Sequence, residues 1–289
     1  MKVKRIILYG ILLPLLFVLS GGELWAASYQ AGAFVTKWRG SNEKPTELLL
    51  KGKDIKIWVY KTTDSRPAEA TVAKDKEVDF EKWSFNTEEG QEYYVEMLGE
   101  LKSLQVVSYP DLITIEQWGN IQWTSLTSAF KDCNRLSIPA TAGKPNLTRC
   151  TSLVSTFEGC KNAQFIKINA EQWDVSKVLY FSAMFLGCSY FNDKVGGWDM
   201  SSATTIKQMF QSCGKFEQDL TNWGGTKLAK VRNFDQLFHE CNNFTGKGLS
   251  TWNVSNGESF AYTFYRCTNF NEDISSWKVD KATDFSSMF

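Results

Sequence analysis

Through the second half of this chain one set of four apolar residues returns at a nearly fixed interval, and that recurrence limits the fold to a stack of like units. The set is clearest at Phe181, Met184, Phe185 and Cys188, spaced i, i+3, i+4, i+7. It recurs as Leu126/Ala129/Phe130/Cys133, Leu153/Thr156/Phe157/Cys160, Ile206/Met209/Phe210/Cys213, Phe234/Leu237/Phe238/Cys241 and Phe260/Thr263/Phe264/Cys267. A seventh copy, Phe285/Met288/Phe289, lacks its cysteine. The spacing puts all four side chains on one stripe of a short helix. Phe191, Phe216, Phe244 and Phe270, each three residues after a cysteine, add a further aromatic column.

A tryptophan stands eight residues before most copies: Trp118, Trp173, Trp198, Trp252 and Trp277. Trp223 lies three residues further from its stripe, across Gly224 to Val231, and the Leu153 copy has Pro145 to Leu147 in place of a tryptophan. Around the tryptophans the text runs apolar, two small polar residues, Trp, one residue, apolar, as in Val195 to Met200, Leu249 to Val254 and Ile274 to Val279. That pattern reads as a strand, so each period of about 25 to 28 residues is expected to hold one short strand and one short helix, an α/β leucine-rich-repeat-like solenoid. Ser and Thr before each stripe, such as Thr124, Ser152 and Ser201, are expected to cap those helices.

Three regions follow. Residues 1–28 carry Lys2 to Arg5, an apolar run from Ile6 to Ser20 and small residues Ala26 to Ser28, the layout of a cleaved secretory signal peptide. The apolar run is shorter than the roughly 20 residues that a spanning helix needs. The first cysteine is Cys133, so no lipobox cysteine lies near the cleavage site. Residues 29–110 read as a small all-β, sandwich-like domain. Its expected strands are Phe34 to Trp38, Glu47 to Leu50, Asp54 to Tyr60, Val78 to Trp83, Glu92 to Met97, Leu104 to Tyr109 and Leu112 to Ile115. This domain is expected to cap the first rung of residues 111–289, about seven rungs with the last incomplete. The apolar Trp277, Val279, Phe285, Met288 and Phe289 carry the expectation that an intact version continues further, and that the present end is frayed or self-associating from about Asp280 onward.

Export raises the question of the seven cysteines, which an oxidising compartment would tend to pair. Six share one position of the repeat, as small buried residues do, and packed helices roughly 8 to 10 Å apart would hold them beyond bridging distance. Free thiols in the core are therefore expected. No C-x-x-C pair exists, and the single histidine, His239, falls between the buried Phe238 and Cys241 on the outer helix face, so neither a metal nor a cofactor is expected. Lys plus Arg and Asp plus Glu each number 32, which removes any broad basic field for nucleic acid or acidic lipid. No nucleophile elbow, zinc-protease helix or phosphate loop is present, so the chain is not expected to be an enzyme.

The run from Met184 to Asn192, with Gly197 to Ser201, and the run from Cys267 to Trp277 resemble the BspA-type leucine-rich-repeat surface proteins, a family also known from mycoplasma lipoproteins. The resemblance covers about residues 110 to 289, and the domain before it is similar in place to PKD-like modules. It implies an exported cell-surface protein for adhesion, meeting surface or matrix proteins of a host or neighbouring cell. The alternative is a structural spacer of a larger surface protein, with no ligand of its own. In the strand reading, the residues flanking the tryptophans face out on a concave surface: Gln117, Gln172, Asp174, Asp199, Asn222, Thr251, Asn253, Ser276 and Lys278. They are polar and without aromatics, which suits a protein partner met by hydrogen bonds.

The tryptophan column is core in this reading, so Trp198→Ala should destabilise the fold by about 3 to 5 kcal/mol and Lys278→Ala hardly at all. Urea denaturation followed by circular dichroism measures both; an unchanged Trp198→Ala midpoint would place the tryptophans on the surface.

Overall fold

The computed structural model describes residues 29–42, 45–107, 111–161 and 167–289. The expected signal peptide and residues 108–110, at the expected domain boundary, lie outside them. Six strands form one antiparallel sheet: β1 (Phe34–Arg39), β2 (Thr46–Lys61), β3 (Val72–Lys74), β4 (Val78–Phe85), β5 (Glu92–Val106) and β6 (Leu112–Gln117). The order is β3-β2-β5-β1-β6, with β4 also paired to β2. Two pairs of expected strands are thus single long ones, β2 and β5, which bend where their register shifts at Lys51/Gly52 and Lys53/Lys56. Gly99 permits the bend: at φ 117 a Cβ there would lie 2.2 Å from the Asp54 carbonyl oxygen. One bent sheet, continuous in its hydrogen bonds, replaces the expected sandwich.

The sheet closes the first rung, as a stack with an exposed end requires. Val106 N–H donates to Ala129 O (2.9 Å), and Thr124 N–H to Lys102 O (2.9 Å). β6 meets the same rung where Ile115 N–H donates to Ser137 O (3.1 Å). Phe34 packs on Trp118 and Trp123 at ring-centroid distances of 5.6 and 5.3 Å. One apolar core therefore runs without a break from sheet to repeats.

The repeats themselves correct the expectation of a strand and a helix per rung. Among the described residues there is no α-helix, and the α/β leucine-rich-repeat architecture does not hold. Each stripe is instead two consecutive four-residue turns. In the rung at Phe181, Met184 N–H donates to Phe181 O (3.1 Å) and Cys188 N–H to Phe185 O (2.9 Å), while Ala183 and Gly187 hold φ of 56° and 75°. A turn closed in this way with a positive φ at its third residue has the form of a type II turn. Its corners point the first and fourth residues inward, so two such turns in tandem bury i, i+3, i+4 and i+7, the same set that a helix would bury.

The remaining amides point along the stack. Phe181, Ala183, Phe185 and Gly187 donate to Thr205, Lys207, Met209 and Gln211 of the next rung at 3.0, 2.9, 3.0 and 2.7 Å. Neighbouring rungs are joined by isolated parallel bridges, Ser125–Ser152–Tyr180–Thr205 and Asn233–Ser259–Asp284. The expected strands at the tryptophans are short 3-10 turns in three rungs, Ala170–Gln172, Thr221–Trp223 and Leu249–Thr251.

Side chains stack in the same register. Phe130, Phe157, Phe185, Phe210, Phe238 and Phe264 follow one another at 5.6, 5.8, 5.8, 5.8 and 5.9 Å between ring centroids. Trp198, Trp223, Trp252 and Trp277 donate through Nε1 to Ala170, Val195, Leu220 and Leu249 O of the rung before, at 2.7 to 3.1 Å. Trp198, Trp223 and Trp252 are thereby buried with the polar atom satisfied, and Trp277 is half-buried. The rung without a tryptophan is bridged by Trp118, which reaches Trp173 directly at 5.7 Å. The three extra residues after Trp223 form a further turn with Leu228 and Val231 buried.

All seven cysteines are free, and all but the half-buried Cys267 are buried. The separation assumed in the helical reading does not apply, because rungs lie closer than packed helices. What occupies the thiols is hydrogen bonding: Cys160, Cys188, Cys213, Cys241 and Cys267 donate from Sγ to Phe130, Phe157, Phe185, Phe210 and Phe238 O at 3.2, 2.9, 3.1, 2.9 and 2.8 Å. Burial pushes Cys150 up to about 11 and Cys267 up to about 12, so at neutral pH almost no thiolate is present at these two. Thr156 and Thr263 enter the apolar stripe because each hydroxyl returns to two backbone carbonyls, those of Leu126 and Leu153 and those of Phe234 and Phe260.

Turn and helix make opposite predictions at Gly187. A Cβ there would meet its nearest neighbour, Gly159 Cα, at 3.8 Å, so space is available and only the positive φ matters. Gly187→Ala should lower stability by about 1 kcal/mol, the left-handed penalty less the unfolded-state gain. In a helix the same change would raise it by about 1 kcal/mol. The shift of the urea midpoint gives the sign.

Candidate functional site

Aromatic contacts across the core place the tryptophan segment opposite the double turn: Phe238 meets Trp252 at 6.2 Å and Phe210 meets Trp223 at 6.1 Å. The stack therefore has two long edges, one outside the tryptophans and one outside the double turns. On the tryptophan edge the residues before and after each ring align from rung to rung. The first column runs Gln172, Gly197, Asn222, Thr251, Ser276, and the second Asp174, Asp199, Gly224, Asn253, Lys278. Every one is exposed except Gly224, which is half-buried. Rungs touch along this edge: Thr251 Oγ1 donates to Thr221 O (3.1 Å) and Ser276 Oγ to Ser250 O (3.1 Å).

Eight of the nine residues expected to face a partner thus lie together on one edge. Gln117 does not join them, being half-buried and donating to Ala33 O (2.7 Å) at the sheet. The edge is built from turns where a strand was expected. Asp174, Asp199 and Asn253 accept through Oδ1 from the amides of Ser176, Ser201 and Ser255 at 3.1, 3.2 and 3.1 Å, the local side-chain turn that these residues favour. One side-chain oxygen of each, a carboxylate oxygen in Asp174 and Asp199 and the amide oxygen in Asn253, is therefore committed to the backbone, while the side chain stays on the surface. The hydroxyl and amide of Ser176 hold the Asp174 carboxyl below its usual range.

The sheet carries its own polar group. Glu96 is fully buried and accepts from Tyr60 OH (2.5 Å), with Arg66 Nε at 2.9 Å. Arg66 also lies 4.1 Å over the Trp58 ring. Burial raises the Tyr60 hydroxyl, helped by its bond to Glu96, so it remains a donor. The ion pair ties the segment at Arg66 to the sheet, a structural role for a paired buried charge.

On the double-turn edge the structure assembles a cluster that the sequence reading passed over: Ser212, His239, Glu240, Tyr262, Tyr265 and Arg266. Three rungs contribute to it. The signal in the sequence was that Tyr262 breaks a column otherwise filled by the small or polar Ser128, Ser155, Ala183, Gln208 and Gln236. No group of His, Cys, Asp and Glu suited to a metal ion occurs among the described residues.

The sequence model of a family described as "Mycoplasma protein of unknown function, DUF285" matches residues 124–231 and 225–289, that is, the double-turn rungs. No curated protein and no solved structure matches the chain.

The side-chain turns of the tryptophan edge predict a titration. Asp219, mostly exposed, accepts from Thr221 Oγ1 (2.6 Å) and Thr221 N–H (2.9 Å) and pairs with Lys247 (3.0 Å). The hydroxyl of Thr221 is the largest influence holding it at about 2. A depressed carboxylate stabilises the fold above its unfolded value near 4 and loses that effect as pH falls through about 2. Thr221→Val should therefore move Asp219 back toward the ordinary carboxylate range, read by carboxyl-carbon NMR. An unmoved resonance would show that this turn does not hold the carboxylate.

Proposed function

The chain belongs to the family described as Mycoplasma protein of unknown function, and on that footing we propose that it is an exported cell-surface binding protein whose tryptophan edge meets a protein on a host or neighbouring cell. The observation that carries this reading is the pair of aligned columns: Gln172, Asn222, Thr251 and Ser276 beside Asp174, Asp199, Asn253 and Lys278, exposed on a backbone whose every rung is hydrogen-bonded to the next. Side chains fixed at rung spacing lose little freedom on binding, which favours affinity. The columns mix acceptors, donors and one cation, and they present no large apolar anchor. Such a surface recognises a polar partner through direct and water-bridged bonds.

Export rests on the charged, apolar and small-residue succession of residues 1–28. The resemblance of Met184 to Asn192 and of Cys267 to Trp277 to BspA-type surface proteins points the same way.

Binding of the purified protein to a panel of individually immobilised surface and matrix proteins tests the reading. Saturable binding to at least one is expected, weakened tenfold or more by Asp199→Lys combined with Asn253→Lys and unchanged by Lys215→Ala on the far edge. Binding to none of the panel by a protein that melts cooperatively would favour the spacer role instead.

A further inference from the structure

The rung from Phe260 to Cys267 departs from the repeat at its outward positions. The first left-handed position of the double turn is Ser128, Ser155, Ala183, Gln208 and Gln236 in the preceding rungs, but Tyr262 here, at φ 56. The second is Asp132, Gly159, Gly187, Ser212 and Glu240 in the rungs before, and Arg266, the longest side chain of the series, here, at φ 60. A bulky side chain is disfavoured in this conformation, and a rung needs none there, since the stacking bond is made by the main chain: Tyr262 N–H donates to Ser286 O at 2.8 Å. Strain of this kind is retained where the side chain has a task.

The side chains so placed converge. Tyr262 and Tyr265 meet edge to face at 5.6 Å, and His239 lies 6.2 and 5.3 Å from their rings. Arg266 lies 5.4 Å over Tyr265, and its Nη1 pairs with Glu240 at 3.0 Å. Glu240 also accepts from Ser212 Oγ at 2.9 Å, and these bonds keep its carboxyl ionised. Beside this row opens a cleft of about 400 Å3, lined by Ser189, Ser212, Gly214, Glu240, Asn242 and Arg266. Tyr262 is 38% exposed, one of few large rings on the surface of the stack.

We propose that this cluster is a saccharide-binding site that takes a neutral pyranose unit of a glycan. A pyranose has one face of C–H groups and a rim of hydroxyls that both donate and accept. The Tyr262 and Tyr265 rings match the face, and the cleft matches the rim, with Arg266 and Asn242 donating and Glu240 accepting. Glu240 and Arg266 cancel in charge, so the site offers no net attraction to an anion. No apolar side chain lines the cleft, which removes the pocket that an anchoring residue of a protein partner would need. The site lies across the core from the tryptophan edge and does not rest on the function proposed for that edge.

Saturation-transfer NMR of the full chain against neutral oligosaccharides of glucose, galactose, mannose and N-acetylglucosamine tests the inference. At least one should bind, with contact carried by tyrosine protons. Tyr262→Ser installs the residue found at this position as Ser128 and Ser155, so the rung should fold with an unchanged or higher melting temperature while affinity falls tenfold or more. Glu240→Gln should weaken binding comparably, and Lys278→Ala on the opposite edge should leave it intact. Absence of binding by every oligosaccharide, or binding that survives Tyr262→Ser and Glu240→Gln in folded protein, overturns the site. Loss of a protein partner on Tyr262→Ser without any oligosaccharide bound would likewise overturn it, and would assign the cluster to that partner.

Discussion

Every feature of the repeat region depends on amides that point to the neighbouring rung instead of back along their own chain. Within each double turn alternate residues close the turn and bond the next rung, so Phe185 N–H reaches Met209 O while Cys188 N–H returns to Phe185 O. That alternation requires a left-handed residue in each turn. For residues other than glycine this costs roughly 1 to 2 kcal/mol per position. Ser128, Ala183, Gln208 and Gln236 all accept it. Inter-rung hydrogen bonds, at about 0.5 to 1.5 kcal/mol net each, and the burial of at least one aromatic per double turn offset the strain. A single rung has neither, which is why the unit exists only as part of a stack.

The cysteine and tryptophan columns extend the same bonding to side chains. A thiol is small enough to fit between stacked phenylalanines and still donates a weak bond to the carbonyl one rung away, as Cys188 does to Phe157. An indole does the same on the opposite side of the core, as Trp198 does to Ala170. The rungs of Trp198, Trp223 and Trp252 are thus attached to the rung before by main chain, thiol and indole together. Such a frame holds outward side chains in fixed register and leaves their identity free to change from rung to rung. Polar residues on the tryptophan edge and the Tyr262, Tyr265, Arg266 and Glu240 cluster on the other edge are two uses of that freedom.

The sheet and the stack share one mechanism at their junction. Strand β5 ends by offering Lys102 O and Val106 N–H to the first rung, so the rung meets a strand where it would otherwise meet water. Glycine at position 99 lets β5 bend against β2, carrying its last residues to that place.

The sequence by itself determined the register of the repeat, the burial of its tryptophans, phenylalanines and cysteines, and the polar character of the residues beside the tryptophans. Those follow from residue type and interval, which burial reads directly. It did not determine the backbone that carries them. A helix and two tandem type II turns both return to the same side after three and then four residues, so Phe181, Met184, Phe185 and Cys188 satisfy either. The local hint was Gly159 and Gly187 inside the stripe, poor helix formers placed where a positive φ falls. The choice itself was made by where Phe185 N–H finds its acceptor, on Phe181 four residues back or on Met209 in the next rung. Only the presence of that next rung, a tertiary neighbour, supplies the second acceptor. The Tyr262 cluster was hidden for the same reason, since Ser212, Glu240 and Arg266 come together only once three rungs are stacked.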